Sequence, residues 1–156
     1  MAWTTPYTFV ALELLTAAKL NTVQDNIQFV FDRTTLPRVM GFLINTDIAL
    51  VAGDDAIRFR IPSSLNGFVI TSVAASRKSG TGVPAIQIRN VTDAVDVLST
   101  KLTIDTGETD TLTAATPAVI NAANDDVTTG DQFAIAIDVA GTATLYLWVE
   151  IGYTKA

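Results

Sequence analysis

Beyond residue 37, three stretches of this 156-residue chain alternate between apolar positions and polar or small ones. Ile57, Phe59 and Ile61 flank Arg58 and Arg60. Phe133, Ile135, Ile137 and Val139 alternate with small or acidic residues, and Leu145, Leu147, Val149 and Ile151 oppose Tyr146, Trp148 and Glu150. A two-residue period puts each series on one face of a β-strand and does not suit a helix, whose period is 3.6. Turn chemistry punctuates the region at Asn66-Gly67, Ser79-Gly80-Thr81-Gly82, Asp105-Thr106-Gly107, Asn124-Asp125-Asp126, Thr129-Gly130-Asp131 and Gly141. Further strands are expected over 39–44, 68–75, 85–91, 95–104 and 118–120, and the last over 142–153. No second amphipathic helix interrupts them, which argues against parallel βαβ units. The expected fold is mainly β, an antiparallel β-sandwich of jelly-roll-like type over 37–156. Phe59, Ile61, Ile88, Phe133, Ile135, Ile137, Leu147 and Val149 are its predicted core.

The N-terminal part reads differently. Residues 1–15 are apolar and aromatic without a period, and Pro6 favours extended structure around itself. Trp3, Pro6, Tyr7 and Phe9 make this an extended docking segment. Over 16–36 a short α-helix is expected. Thr16 serves as N-cap, Leu20, Val23, Ile27 and Val30 follow at 3-4-3 spacing, and Pro37 stops continuation. That stripe suits either a helix-to-helix seam or packing on the β domain. Two heptads do not hold a free coiled coil together. As a seam, with Leu20 and Ile27 at a and Val23 and Val30 at d, β-branched d positions disfavour a dimer and favour a homotrimer.

The chain has neither cysteine nor histidine. Zinc sites built on thiolate or imidazole, and nucleophile systems built on His or Cys, are therefore excluded. No cofactor is expected. Ten Lys and Arg against sixteen Asp and Glu give a net charge of −6 and no basic stripe, so nucleic acid is not an expected partner. No apolar run is long enough for a membrane span. The start, Met1-Ala2-Trp3-Thr4-Thr5-Pro6, lacks a basic region followed by an apolar one, so the expectation is a protein made in the cytoplasm without a signal peptide. With 49% hydrophobic and 17% charged residues, some apolar surface is expected to meet other subunits.

Four features invite chemistry. Asp105-Thr106-Gly107 after an apolar strand resembles the catalytic triplet of retroviral-type aspartic proteases, which pair two copies so that two carboxylates share a proton. Here Glu108 stands where that family places a small residue, and the same triplet makes an ordinary polar turn. Asp54-Asp55, Asp93 with Asp96, and Asn124-Asp125-Asp126 gather oxygens of the kind calcium takes, but none has EF-hand spacing. No metal site is assigned. Gly80 and Gly82 precede a strand, whereas a phosphate loop precedes a helix. Tyr146 and Trp148 share one face of the expected last strand, as an oligomer interface, a core contact or an aromatic platform for sugar.

The first 35 residues resemble a leader of tailed-phage structural proteins, carried here by Trp3, Pro6, Thr16-Ala17, Asn21 and Asp25-Asn26. Leu12-Glu13-Leu14-Leu15 departs from its usual Gly-Glu step. Ile61-Pro62, Leu65-Asn66-Gly67, Leu98-Ser99-Thr100 and Gly130-Asp131 are similar to β-sandwich modules that follow such leaders. The resemblance implies a non-enzymatic structural subunit of a phage virion, a tail fibre, appendage or head decoration. It would be located in the virion, anchored by its N-terminus to other capsid or tail proteins, and engaged in host attachment. The alternatives are a carbohydrate-binding adhesin module meeting a host surface glycan and, further off, an aspartic-type protease using Asp105.

Overall fold

The computed structural model describes Asn21 and residues 36–156. The expected docking segment with Trp3, Pro6, Tyr7 and Phe9, and the stripe Leu20, Val23, Ile27 and Val30, lie outside the described residues. Residues 37–156 form one compact unit.

Its strands are β1 (Arg38–Leu43), β2 (Gly53–Arg60), β3 (Phe68–Ser76), β4 (Ser79–Thr81), β5 (Ala85–Asn90), β6 (Val95–Asp96), β7 (Leu98–Thr100), β8 (Leu102–Thr103), β9 (Val119–Ile120), β10 (Asp126–Val127), β11 (Gln132–Val139), β12 (Thr142–Leu145) and β13 (Trp148–Lys155). All described pairings are antiparallel, as expected where no crossover helix lies between strands among the described residues. One sheet has the order β1-β13-β3-β10 and a second β2-β11-β5-β6, with β8 also on β5, while β12–β4 and β7–β9 form two-stranded sheets. The pairing is nested. β5 pairs with β6, β3 with β10, β2 with β11 and β1 with β13, so the chain runs out and back like one long hairpin. Two further ladders, β3–β13 and β5–β11, join its arms into the four-stranded and the five-stranded sheet.

The alternating residues explain the burial. Ile70, Val149, Ile151 and Tyr153 of the first sheet, and Ile86, Ile88, Phe133, Ile135 and Ile137 of the second, belong to one apolar cluster. Phe42 of β1 meets Phe59 of β2 with ring centroids 4.4 Å apart, and Phe59 stacks on Phe133 at 5.9 Å. Seven of the eight predicted core residues are buried, and Phe59 is half-buried against them.

Two expected strands are broken. The stretch 95–104 is β6, β7 and β8. It follows β5 at both ends but bulges between, where Gln87 bridges the gap: its Oε1 accepts from Leu98 N (3.1 Å) and its Nε2 donates to Leu98 O (3.0 Å). The stretch 142–153 is β12 and β13, interrupted at Tyr146, whose φ is +52°. β12 pairs with β4, whereas β13 pairs with β1 and β3. Asn45 holds this break, with Nδ2 donating to Thr144 O and Oδ1 accepting from Leu147 N, both at 2.8 Å.

Candidate functional site

The break corrects the shared strand face expected for Tyr146 and Trp148. A left-handed residue between two strands interrupts the alternation on which that face depended. The two rings have separate surroundings. The Tyr146 hydroxyl donates to Asp47 Oδ1 at 2.6 Å, and the Lys78 ammonium lies 4.7 Å from its ring centroid. The bond to the Asp47 carboxylate, with some burial, raises the phenol pKa above its ordinary value.

Trp148 opens β13 on the solvent face of the first sheet, 38% exposed. Register sets its neighbours: Leu43 and Ser76 flank Trp148, while Gly41 and Ala74 flank Glu150. Gly41 makes room for the indole, since a Cβ there would lie 2.2 Å from its Cζ2. The indole Nε1 donates to Glu150 Oε1 at 2.9 Å, a contact between residues two apart on one strand face.

A loop walls the other side. Beyond the reach of β10, the edge of β3 is taken by 109–111: Arg77 N donates to Thr109 O (2.7 Å), Thr111 N to Ala75 O (3.0 Å), and Ala75 N to Thr111 Oγ1 (3.1 Å). Asp110 accepts the Leu112 N–H at 2.9 Å, an Asx turn that fixes its carboxylate. The result is a recess of about 190 Å³ between Trp148 and Glu150 on one side and Asp110 and Leu112 on the other, floored by Ala74 and Ser76. Sequence reading singled out Trp148 but missed Asp110 and Leu112. The available signal was the Asp-Thr-Leu spacing of an Asx turn within a Thr-rich stretch that otherwise reads as strand.

Asp105, Asp55, Asp93, Asp96 and Asn124 are engaged within the fold. Asp105 opens a turn closed by Glu108 N on its carbonyl (3.0 Å), with Gly107 at φ +89° in the position a type II turn reserves for glycine. Its carboxylate accepts the Ala115 N–H at 2.7 Å. Arg77, 4% exposed, donates to the carbonyls of Asp105, Gly82 and Glu108, each at 3.1 Å. Asp55 pairs with Arg58, Asp96 with Arg89 at 3.1 Å, and Asp93 accepts from Asn90 Nδ2 at 2.7 Å. Asn124 donates to the Asp96 carbonyl at 2.8 Å. Among the described residues no three acidic groups gather as a metal ion requires. A second cavity, of about 270 Å³, lies between Asp54, Arg58, Arg89 and Ala94, and both of its arginines have carboxylate partners.

No protein-family model, curated protein or solved structure matches this chain.

Proposed function

We propose that the chain is a non-enzymatic structural subunit of a tailed-phage virion, a fibre, tail appendage or head decoration, with a β-sandwich of jelly-roll type displayed after an N-terminal anchor. The observation that carries this reading is the nested pairing order. A hairpin whose arms are joined into a four-stranded and a five-stranded antiparallel sheet supports a jelly-roll reading, an architecture recurrent in capsid and lectin domains. Fold alone does not assign function. The virion assignment draws on the leader resemblance in residues 1–35, which precedes this domain in the sequence. The turn geometry of Asp105 supports a structural role for the one Asp-Thr-Gly triplet.

The partners under this reading are capsid or tail proteins, met by Trp3, Pro6, Tyr7 and Phe9. The homotrimer is proposed through Leu20, Val23, Ile27 and Val30 together with a contact between β domains, since two heptads alone do not hold a coiled coil. Tyr146 and Trp148, expected to supply that contact from one strand face, are separated by the break at Tyr146. Antibodies raised against the purified chain test the assignment: immunogold electron microscopy should label one position on phage particles from the source. Unlabelled particles would overturn it, as would acid peptidase activity that disappears in Asp105→Ala.

A further inference from the structure

We propose that the Trp148 recess is a saccharide site that takes one neutral pyranose ring against the indole. The reading of the chain as a virion subunit is not required, since the recess would bind sugar wherever the protein resides. Three observations converge. First, a half-exposed indole forms one wall of a concavity, and the C–H face of a pyranose is electropositive where the indole face is electronegative. Second, Asp110 and Glu150 each use one carboxylate oxygen within the chain and leave the other without a partner among the described residues. Such free oxygens accept hydrogen bonds from sugar hydroxyls, and these charge-assisted bonds are the stronger kind. The Thr111 hydroxyl, which accepts from Ala75 N, keeps its own proton to donate. Third, the walls are held before any ligand arrives: Glu150 fixes the indole, Gly41 lets it lie close to β1, and the Leu112 N–H fixes Asp110. Preorganisation of this kind lowers the cost of binding.

Size and charge define the ligand class. At about 190 Å³ the recess lies below the roughly 300–1,000 Å³ of drug-sized pockets, so it holds one ring of a longer glycan. Two carboxylates line it and no Lys or Arg does, which disfavours uronic and sialic acids by like-charge repulsion.

Saturation-transfer NMR on the full chain with methyl glucoside, methyl galactoside, N-acetylglucosamine and glucuronic acid tests this, together with a glycan array. At least one neutral pyranoside should receive saturation while glucuronic acid does not. Trp148→Ala should weaken binding about tenfold or more, Trp148→Phe should retain part of it, and Asp110→Asn should weaken it with the platform intact. Gly41→Ala, which displaces the ring, should behave like Trp148→Ala. If Trp148→Ala fails to give a cooperative melt, Trp148→Phe and Asp110→Asn carry the comparison. The proposal is overturned by absence of any neutral-sugar binding, by binding indifferent to Trp148 and Asp110, or by a Trp148 substitution that alters sedimentation without altering sugar binding. That last result would make the face a contact between copies.

Discussion

Asn45 and Gln87 do the same work at two places. Each stands beside a gap in a β-ladder, and its side-chain amide, donor and acceptor together, takes the part of a missing peptide group. Gln87 is 4% exposed, so groups orphaned by its loss would be buried away from water. Asn45→Ala and Gln87→Leu should each cost about 1–3 kcal/mol, read as a lower denaturation midpoint at unchanged slope. Neither role was legible in the sequence. Ile86-Gln87-Ile88 alternates like any half-buried strand, and period two does not reveal that its polar face is covered. Tyr153 is the opposite case: it is fully buried, and its hydroxyl has no partner among the described residues. Burial pushes its phenol pKa far above the ordinary 10.0. The unfolded chain releases that proton near pH 10 and the folded chain holds it to higher pH, so this contribution is intact below about pH 10 and falls as pH rises beyond. Tyr153→Phe should flatten that alkaline decline, seen in melts from pH 8 to 11. At neutral pH it should leave stability unchanged or raise it by about 1 kcal/mol, because no bond is lost.

At the level of the element, alternation located the long strands and missed where they break. β3, β5 and β11 fall close to their expected spans because apolar periodicity and flanking turns agree, whereas β2 begins at Gly53, four residues before the alternation that announced it. The breaks at 95–104 and 142–153 depend on tertiary partners, on Gln87 in the first and on Asn45 with the β4 ribbon in the second. Neither partner is near in sequence. The Trp148 recess was half legible for the same reason. The indole was visible as an exposed aromatic, but its opposite wall comes from a loop docked on β3 through backbone bonds. β11 adds a case of its own. Its small residues, Ala134 and Ala136, are buried like its apolar ones. Ala134 lies in register between Arg58 and Arg89, and Ala136 opposite Gln87, so long neighbours share the face that alternation would leave to water. Ala136→Leu should therefore destabilise by about 1–3 kcal/mol through overpacking. Glu150→Gln, exposed on β13, should stay within about 0.5 kcal/mol, with both measured by chemical denaturation.

For the whole molecule, nested pairing makes the domain close on itself. β1 pairs along its length with β13, so the first and last strands of the unit are hydrogen-bonded together, and the described core lies between Leu50 and Tyr153. Every ladder described falls between Arg38 and Lys155. A fragment of residues 37–156 therefore contains all of its own pairings and the whole of this core, and it should fold alone. Pairing so distant in sequence delays the final closure, and folding slower than that of a helical protein of this size is expected. The fragment should give a β-type circular dichroism spectrum and one cooperative melt. Under the proposed anchoring it should also lose what residues 1–35 supply. The full chain should sediment as a trimer of 16.6 kDa subunits and the fragment as a monomer. Ile27→Asp in the full chain would place three like charges at the proposed seam, which should reproduce the monomer with the β domain still folded. A full chain that is monomeric at micromolar concentration would reject the seam. A fragment that remains trimeric would move the contact onto the β domain, with the exposed Val39, Leu43 and Trp148 face of the first sheet as the surface to substitute next.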